Sequence, residues 1–261
     1  MAFELTILGS GTSQGVPVIG RDYPAAFLAN PKNHRFRPAA MIGTEKIRFV
    51  IDTPQEFRLQ MLREGVKSID AVLYTHAHAD HILGLDDCRR FCEMNGGRPL
   101  PIHAGAADMR MLKQVFGYAF GEDQKPTTYL VPEARVFDGP FDLGDLRVTP
   151  LPLPHGSMGS NGFLFEQGGD KLLAYCTDCK EVPDTVVEQI AGVRCVVLDA
   201  LRKREHWTHM SLDEALTAAR RIRAGRTLLT HLTDDYDHDP DQAELPPGVE
   251  LAYDGMKVTL A

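Results

Sequence analysis

No run of apolar residues in this chain approaches the ~18–20 needed to span a bilayer, so no membrane partner is expected. Nor is there a block of consecutive Lys and Arg. The 28 basic side chains are outnumbered by 36 acidic ones, giving a net charge of −8 that repels the phosphates of a long nucleic acid. A small phosphorylated substrate is still allowed, because bound cations reverse the potential locally. Cysteine is sparse: Cys88, Cys92, Cys176, Cys179 and Cys195, an odd count in a chain too long to depend on disulfides. The opening MAFELTILGSG lacks the basic-then-apolar pattern of a secretory leader, so free thiols in a cytoplasmic protein are expected. Cys88 and Cys92 with Cys176 and Cys179 could make a four-thiolate zinc site, but the spacings differ and the second pair brackets a better ligand, Asp178. Repeats, low-complexity tracts and linkers are missing too. The 261 residues, 43% of them hydrophobic, read as one domain, 1–261.

Histidine, by contrast, is concentrated. Residues 71–87 read AVLYTHAHADHILGLDD, in which an apolar run from Ala71 to Thr75 leads directly into His76-x-His78-x-Asp80-His81. Folding alone gives no reason for such donors at the mouth of a strand. On an extended loop, residues two apart face the same side, so His76 and His78 can grip one cation. Asp80 and His81 follow a bend and can face a second. The placement recurs: Thr177 runs into Asp178 and Thr230 into His231, while His155 sits in the Gly- and Pro-punctuated run Leu151–Ser157. Donors on loops at strand ends collect along one edge of a sheet. The resulting assignment puts His76, His78 and His155 on one ion, Asp80, His81 and His231 on another, and Asp178 between them. Imidazole-rich ligation suits Zn2+, and the carboxylates admit Mn2+ or iron. Two divalent metal ions so held would supply hydroxide at neutral pH and clamp an attacked phosphorus or carbonyl centre.

Strands are expected at 3–8, across 39–51 as a hairpin turning at 43–46, at 71–75 and 101–103, and through 129–165. Others fall at 172–175, 195–199, 227–230, 249–253 and 256–260, and helices at 55–64, 84–94 and 105–117. Ser211 and Glu214 form a capping box that opens a further helix. His206 and His209 lie just ahead of it, where backbone donors favour an anion, so either could contact a phosphate or protonate a leaving alkoxide. The glycine-rich turn 9–15, with Ser13, lets backbone approach either a ligand or another segment, and it lacks the Lys-Ser/Thr ending of a phosphate loop. In the loop 20–38, Arg35 and Arg37 are candidates for holding a substrate phosphate. His103 and His238 have no such context, and 234–241 is expected to be a solvated acidic loop. The alternation of strands and helices, run through twice, suggests two similar halves face to face.

The motif THAHADH, with His155, Asp178 and His231 downstream in that order, resembles the metallo-β-lactamase superfamily in all its ligand types. That resemblance implies an α+β fold, a four-layer αβ/βα sandwich with a dinuclear site at one edge. Three further features resemble the PhnP-like phosphodiesterase branch, which is related to the tRNA 3′-processing endonucleases. They are the opening LGSGTSQGVP, the stretch from His206 to His209 before a capped helix, and the ending GVELAYDGM with Asp254. In that branch a histidine in the region of His209 assists the leaving group; the catalytic candidates are therefore Asp80 and His209, with His206 in reserve. Residues 14–38 lack the cysteines on which relatives carry an additional structural zinc. Relatives tend to have glycine soon after the strand-end Asp, whereas this chain reads Asp52-Thr53-Pro54, so Asp52 is expected to buttress the site. No counterpart of the tRNA-holding arm is evident, which with the acidic balance argues against tRNA maturation.

The leading expectation is a metal-dependent hydrolase cleaving a small phosphodiester, cyclic or nucleotide-like. A lactone, thioester or lactam hydrolase on the same dinuclear site is the alternative, and a non-catalytic binding module the second. Expected partners are a small phosphorylated substrate and no long nucleic acid; a homodimer is left open.

Overall fold

Two kinds of strand set the architecture: alternating ones, and ones apolar on both faces. The structure is a computed structural model that describes residues 3–121 and 129–260. One sheet is built from β1 (Phe3–Gly9), β2 (Ala39–Gly43), β3 (Arg48–Ile51), β4 (Ala71–Leu73), β5 (Leu100–Ala104) and β6 (Pro132–Val136). The other contains β7 (Phe141–Leu143), β8 (Leu146–Leu153), β9 (Ser160–Gln167), β10 (Asp170–Cys176), β11 (Cys195–Asp199), β12 (Arg226–Thr230) and β13 (Val249–Leu251). The last strand, β14 (Lys257–Leu260), returns to pair with β1. The strand orders are β14-β1-β2-β3-β4-β5-β6 and β13-β12-β11-β10-β9-β8-β7. Each sheet passes from antiparallel pairing to a parallel part, β3 to β6 in one and β10 to β13 in the other.

Side-chain alternation assigns the layers. Phe49 and Ile51 of β3 face the layer between the sheets while Val50 faces outward; Ala71 and Leu73 of β4 repeat this around Val72. In β11, Cys195 and Val197 point inward and Val196 and Leu198 outward. Helices Phe57–Arg63, Arg89–Met94 and Ala106–Val115 cover the first sheet, and Asp184–Ile190 and Leu212–Ile222 the second. This is the four-layer αβ/βα sandwich. Parallel strands covered on both faces read as unbroken apolar runs, which is why CVVLD is legible and why its helices are needed. At the centre, Phe165 packs against Phe49, Phe163 and Phe3 at ring-centroid distances of 5.6, 6.1 and 6.4 Å. Phe165→Ala is expected to cost about 3–5 kcal/mol in urea denaturation, from lost transfer energy plus the cavity left behind. A loss below about 1 kcal/mol would contradict that central position.

Two expectations need correction. Of the helix expected at 84–94, Leu85–Cys88 is a 3-10 turn and only Arg89–Met94 is α-helical, and a separate short helix, Ala79–Ile82, precedes them. The break falls at Gly84, where a Cβ would stand 2.0 Å from the Pro54 carbonyl oxygen, so the chain passes too close for any side chain. The stretch 234–241 is no free loop. Asp234 accepts from Arg21 and Tyr23, Asp237 accepts from Asn33, and a helix His238–Glu244 begins with His238 buried. Asp239 and Asp241 lie in its first turn, where the helix dipole favours them. Cys88 and Cys92 pack outside the first sheet and Cys176 and Cys179 outside the second, so the two pairs cannot share an ion.

Candidate metal centre

The parallel strands end along one edge, and their next residues turn into it. Asp52 follows β3, His76 lies just past β4, Asp178 follows β10 and His231 follows β12, while Asp199 is the last residue of β11. Asp52, Asp178 and His231 adopt left-handed backbone, with φ of 64°, 52° and 61°. For side chains other than glycine this costs of order 1–3 kcal/mol each, and such strain concentrates at functional sites.

The edge gathers side chains from both sheets. Donor atoms of His76, His78 and His155 form one group, and those of Asp80, His81, Asp178 and His231 another, each within 4.8 Å of one another. In the first, His78 Nδ1 lies 2.8 Å from His76 Nε2 and 3.3 Å from His155 Nε2. In the second, Asp178 Oδ2 lies 3.3 Å from His81 Nε2 and 3.2 Å from His231 Nε2, and reaches toward the first group at 3.9 Å from His76 Nε2. Asp80 Oδ2 is 3.4 Å from His81 Nε2 and 4.0 Å from His231 Nε2.

Buried hydrogen bonds fix which ring nitrogen faces inward. Asp52 accepts from the Thr75 backbone N–H and hydroxyl, and from His81 Nδ1 at 2.7 Å, leaving His81 Nε2 for the centre. With the Thr75 hydroxyl proton so engaged, His76 Nδ1 donates to Thr75 Oγ1 at 3.0 Å. His155 Nδ1 donates to the Thr208 carbonyl at 3.1 Å.

These donors fit divalent ions. His81 Nε2 and His231 Nε2 are fully buried and have no hydrogen-bond partner among the described residues, although carboxylate oxygens stand nearby without hydrogen-bonding geometry. Leaving such atoms unpaired costs about 1–3 kcal/mol each. Three imidazole nitrogens that converge on one point repel through their lone pairs unless a positive charge stands between them. Electrostatics points the same way. Although burial opposes it, Asp178, Asp52 and Asp80 hold His81 well above the ordinary histidine value, and Asp178 lifts His231 to about 9. Against the same burial, His231 and His81 hold Asp178 well below the usual carboxylate range. At His76, burial wins and the pKa falls well below its ordinary value. The centre therefore favours positive charge among nitrogen and oxygen donors, which is a zinc-type set.

Above it opens a cleft of about 380 Å3, lined by Ser13, Asp80, Trp207 and His209 among others. His209 stacks on His231 (centroids 4.6 Å, 19°) and meets His155 edge-on at 4.7 Å. Its Nδ1 lies 2.6 Å from Asp199 Oδ2, which leaves Nε2 as the free ring nitrogen. Asp199 also accepts from the backbone N–H groups of Cys179 and Leu201, so its carboxylate is rigidly held. Sequence reasoning missed Asp199, although CVVL running into an acid repeats the strand-end pattern of the other donors. His206 stands one cavity away, its Nδ1 engaged by Thr208, and lines a neighbouring polar pocket rather than the cleft. Burial, then the nearby His209, lowers its pKa.

The two arginines sit elsewhere than expected. Arg35 is 1% exposed and its guanidinium donates to the Thr233 and Tyr236 carbonyls and to Asn33, so it braces loops and cannot reach a substrate. Arg37 pairs with Glu56 and donates to the Ser13 carbonyl at 2.7 Å, which places it behind Ser13, not in the cleft. The glycine-rich turn is occupied by protein: a Cβ on Gly9 would stand 1.9 Å from the Arg37 carbonyl oxygen. Asp254 ties this turn down by accepting from the Ser10 N–H and hydroxyl and from the Phe36 N–H.

Residues 47–232 match the family described as the beta-lactamase superfamily domain. A solved structure described as a new diphosphatase from the PhnP family is similar over 99% of this chain and 97% of that one, with a TM-score of 0.90 and 39% identity. An octanoyltransferase from Porphyromonas gingivalis is 31% identical over 97% of this chain but only 51% of its own length, so the chain spans about half of that protein. A ribonuclease Z from Myxococcus xanthus is 25% identical, with 89% of this chain and 94% of that one covered.

Proposed function

The chain belongs to the metallo-β-lactamase superfamily and within it to the PhnP-like branch, and from that premise we propose that it hydrolyses small phosphodiesters with two metal ions held by the two donor groups described above. The observation that carries the reading is the junction of two donor groups with a separate histidine–carboxylate pair. The superfamily scaffold is that of a hydrolase; the pair formed by His209 and Asp199 supplies what phosphoryl chemistry asks for besides the metals, a proton donor facing the departing oxygen.

His76, His78 and His155 would hold one ion and Asp80, His81 and His231 the other, with Asp178 shared. The ions would supply a low-pKa water as nucleophile and Lewis-acid stabilisation of the charge that develops on the phosphoryl oxygens. The protein's own groups do the rest. Asp52, Thr75 and the Thr208 carbonyl lock imidazole orientation, so little reorganisation accompanies reaction. Asp199 accepts from Nδ1 and so orients the His209 ring, and His209 Nε2 gives its proton to the leaving oxygen. A cleft of about 380 Å3 suits a substrate the size of a nucleotide, and the net charge of −8 disfavours a long polyanion.

A second reading, cleavage of a phosphoanhydride, is favoured by the 39% identical diphosphatase. It uses the same centre but expels a phosphate, a better leaving group that needs less from His209. The test is to strip the protein with chelator, reload it with Zn2+ or Mn2+, and assay bis(p-nitrophenyl) phosphate beside lactone and thioester panels. Restored phosphodiester turnover at about two equivalents of metal is expected. Selective turnover of a lactone or thioester would replace this reading with the acyl-hydrolase alternative.

A further inference from the structure

The chain holds a single tryptophan, Trp207, and the fold leaves it 80% exposed at the mouth of the catalytic cleft. A large aromatic side chain held out of the core is informative because burial is its default. It is not at the end of a loose loop. The segment is pinned at its base by the pairing of Arg202 with Ser211 and by the Leu201 N–H donating to the Met210 carbonyl. Near the tip, His206 Nδ1 accepts from the Thr208 N–H. Across the cleft wall, Gly156 has φ +54°, and a Cβ there would stand 3.2 Å from Thr208 Cγ2 and 3.9 Å from Trp207 Cζ3. Glycine thus lets the His155 turn close against the Trp207 segment. The same turn presents Met158, 51% exposed, into the cleft.

The cleft is therefore two-toned. Its floor is imidazole and carboxylate, and its lip is an indole and a thioether that no group among the described residues covers. A ligand matching both has an anionic end and a flat apolar end. We infer that Trp207, with Met158 in the same cleft, is a specificity-determining platform that selects phosphoesters bearing a planar heteroaromatic group such as a nucleobase. An indole face stacks on any base, and thioethers pack well against rings, so the platform recognises planarity rather than one base. This rests on the phosphoester reading of the floor and adds the identity of the ester's other end.

Adenosine 5′-monophosphate, ribose 5-phosphate and n-hexyl phosphate are the probes, titrated calorimetrically into the zinc-loaded protein and its Trp207→Ala and Trp207→Phe variants. In the wild type, tryptophan emission reports this site alone. The nucleotide is expected to quench it saturably and to bind about 5- to 150-fold more tightly than ribose 5-phosphate. That advantage should vanish in Trp207→Ala and largely return in Trp207→Phe, with ribose 5-phosphate affinity unchanged throughout. Equal binding of nucleotide and sugar phosphate, or an advantage that survives Trp207→Ala, overturns the platform while leaving the phosphoester reading intact. Hexyl phosphate binding as tightly as the nucleotide replaces aromatic selection with a general apolar lip. Failure of all three to bind overturns the phosphoester reading and the platform with it.

Discussion

Asp178→Asn is expected to lower phosphodiester turnover by about 1,000-fold or more while leaving the protein folded. An oxygen of the carboxylate approaches both donor sets, 3.2 and 3.3 Å from His231 and His81 and 3.9 Å from His76. Removing its charge would weaken the hold on the two ions proposed there, whose Lewis-acid contribution would be worth several kcal/mol, or about three decades in rate. Asparagine is the informative replacement because Asp178 has φ +52°, a conformation that Asn tolerates and most other side chains do not. Elemental analysis after reloading should show clearly less bound metal than wild type, and circular dichroism should be unchanged. Full metal content with full turnover would mean that Asp178 bridges nothing.

His209→Ala carries the second large effect, and its signature is dependence on the leaving group. With an alkyl ester, loss of the proton donor should cost about 100- to 10,000-fold in kcat. With p-nitrophenolate, which departs without help, the loss should nearly disappear. The geometry supports this division: His209 touches the ring of His231 but is held by Asp199, not by the ligand carboxylates, so its removal leaves the seven donors in place. Equal losses on both esters would place His209 in substrate binding instead of proton transfer.

Much of this centre could be read from the chain because a tight cluster at one strand end is hard to mistake, and because strands that run into Asp178 and His231 repeat its logic. What could not be read was direction. Arg35 and Arg37 looked alike as spare cations in an acidic protein, yet one is folded inward on carbonyls and the other grips Ser13 from behind. Local sequence says nothing about which way a loop side chain turns. Asp199 escaped for the opposite reason: its partner His209 lies on a different segment, and only the loop that folds back through Met210 brings them together. The helix His238–Glu244 was hidden by composition, since acids that look solvating in a loop also favour a helix's first turn.

The left-handed residues at the strand ends carry a last consequence. At Asp52, Asp178 and His231 the backbone would be most comfortable with glycine, yet the proposed centre requires a polar side chain at each position. Any drift toward a more robust molecule at these places dismantles the reaction chemistry. Tolerance to heat and catalytic competence are set against each other at three known points of the chain, and improvement in the first has to come from elsewhere.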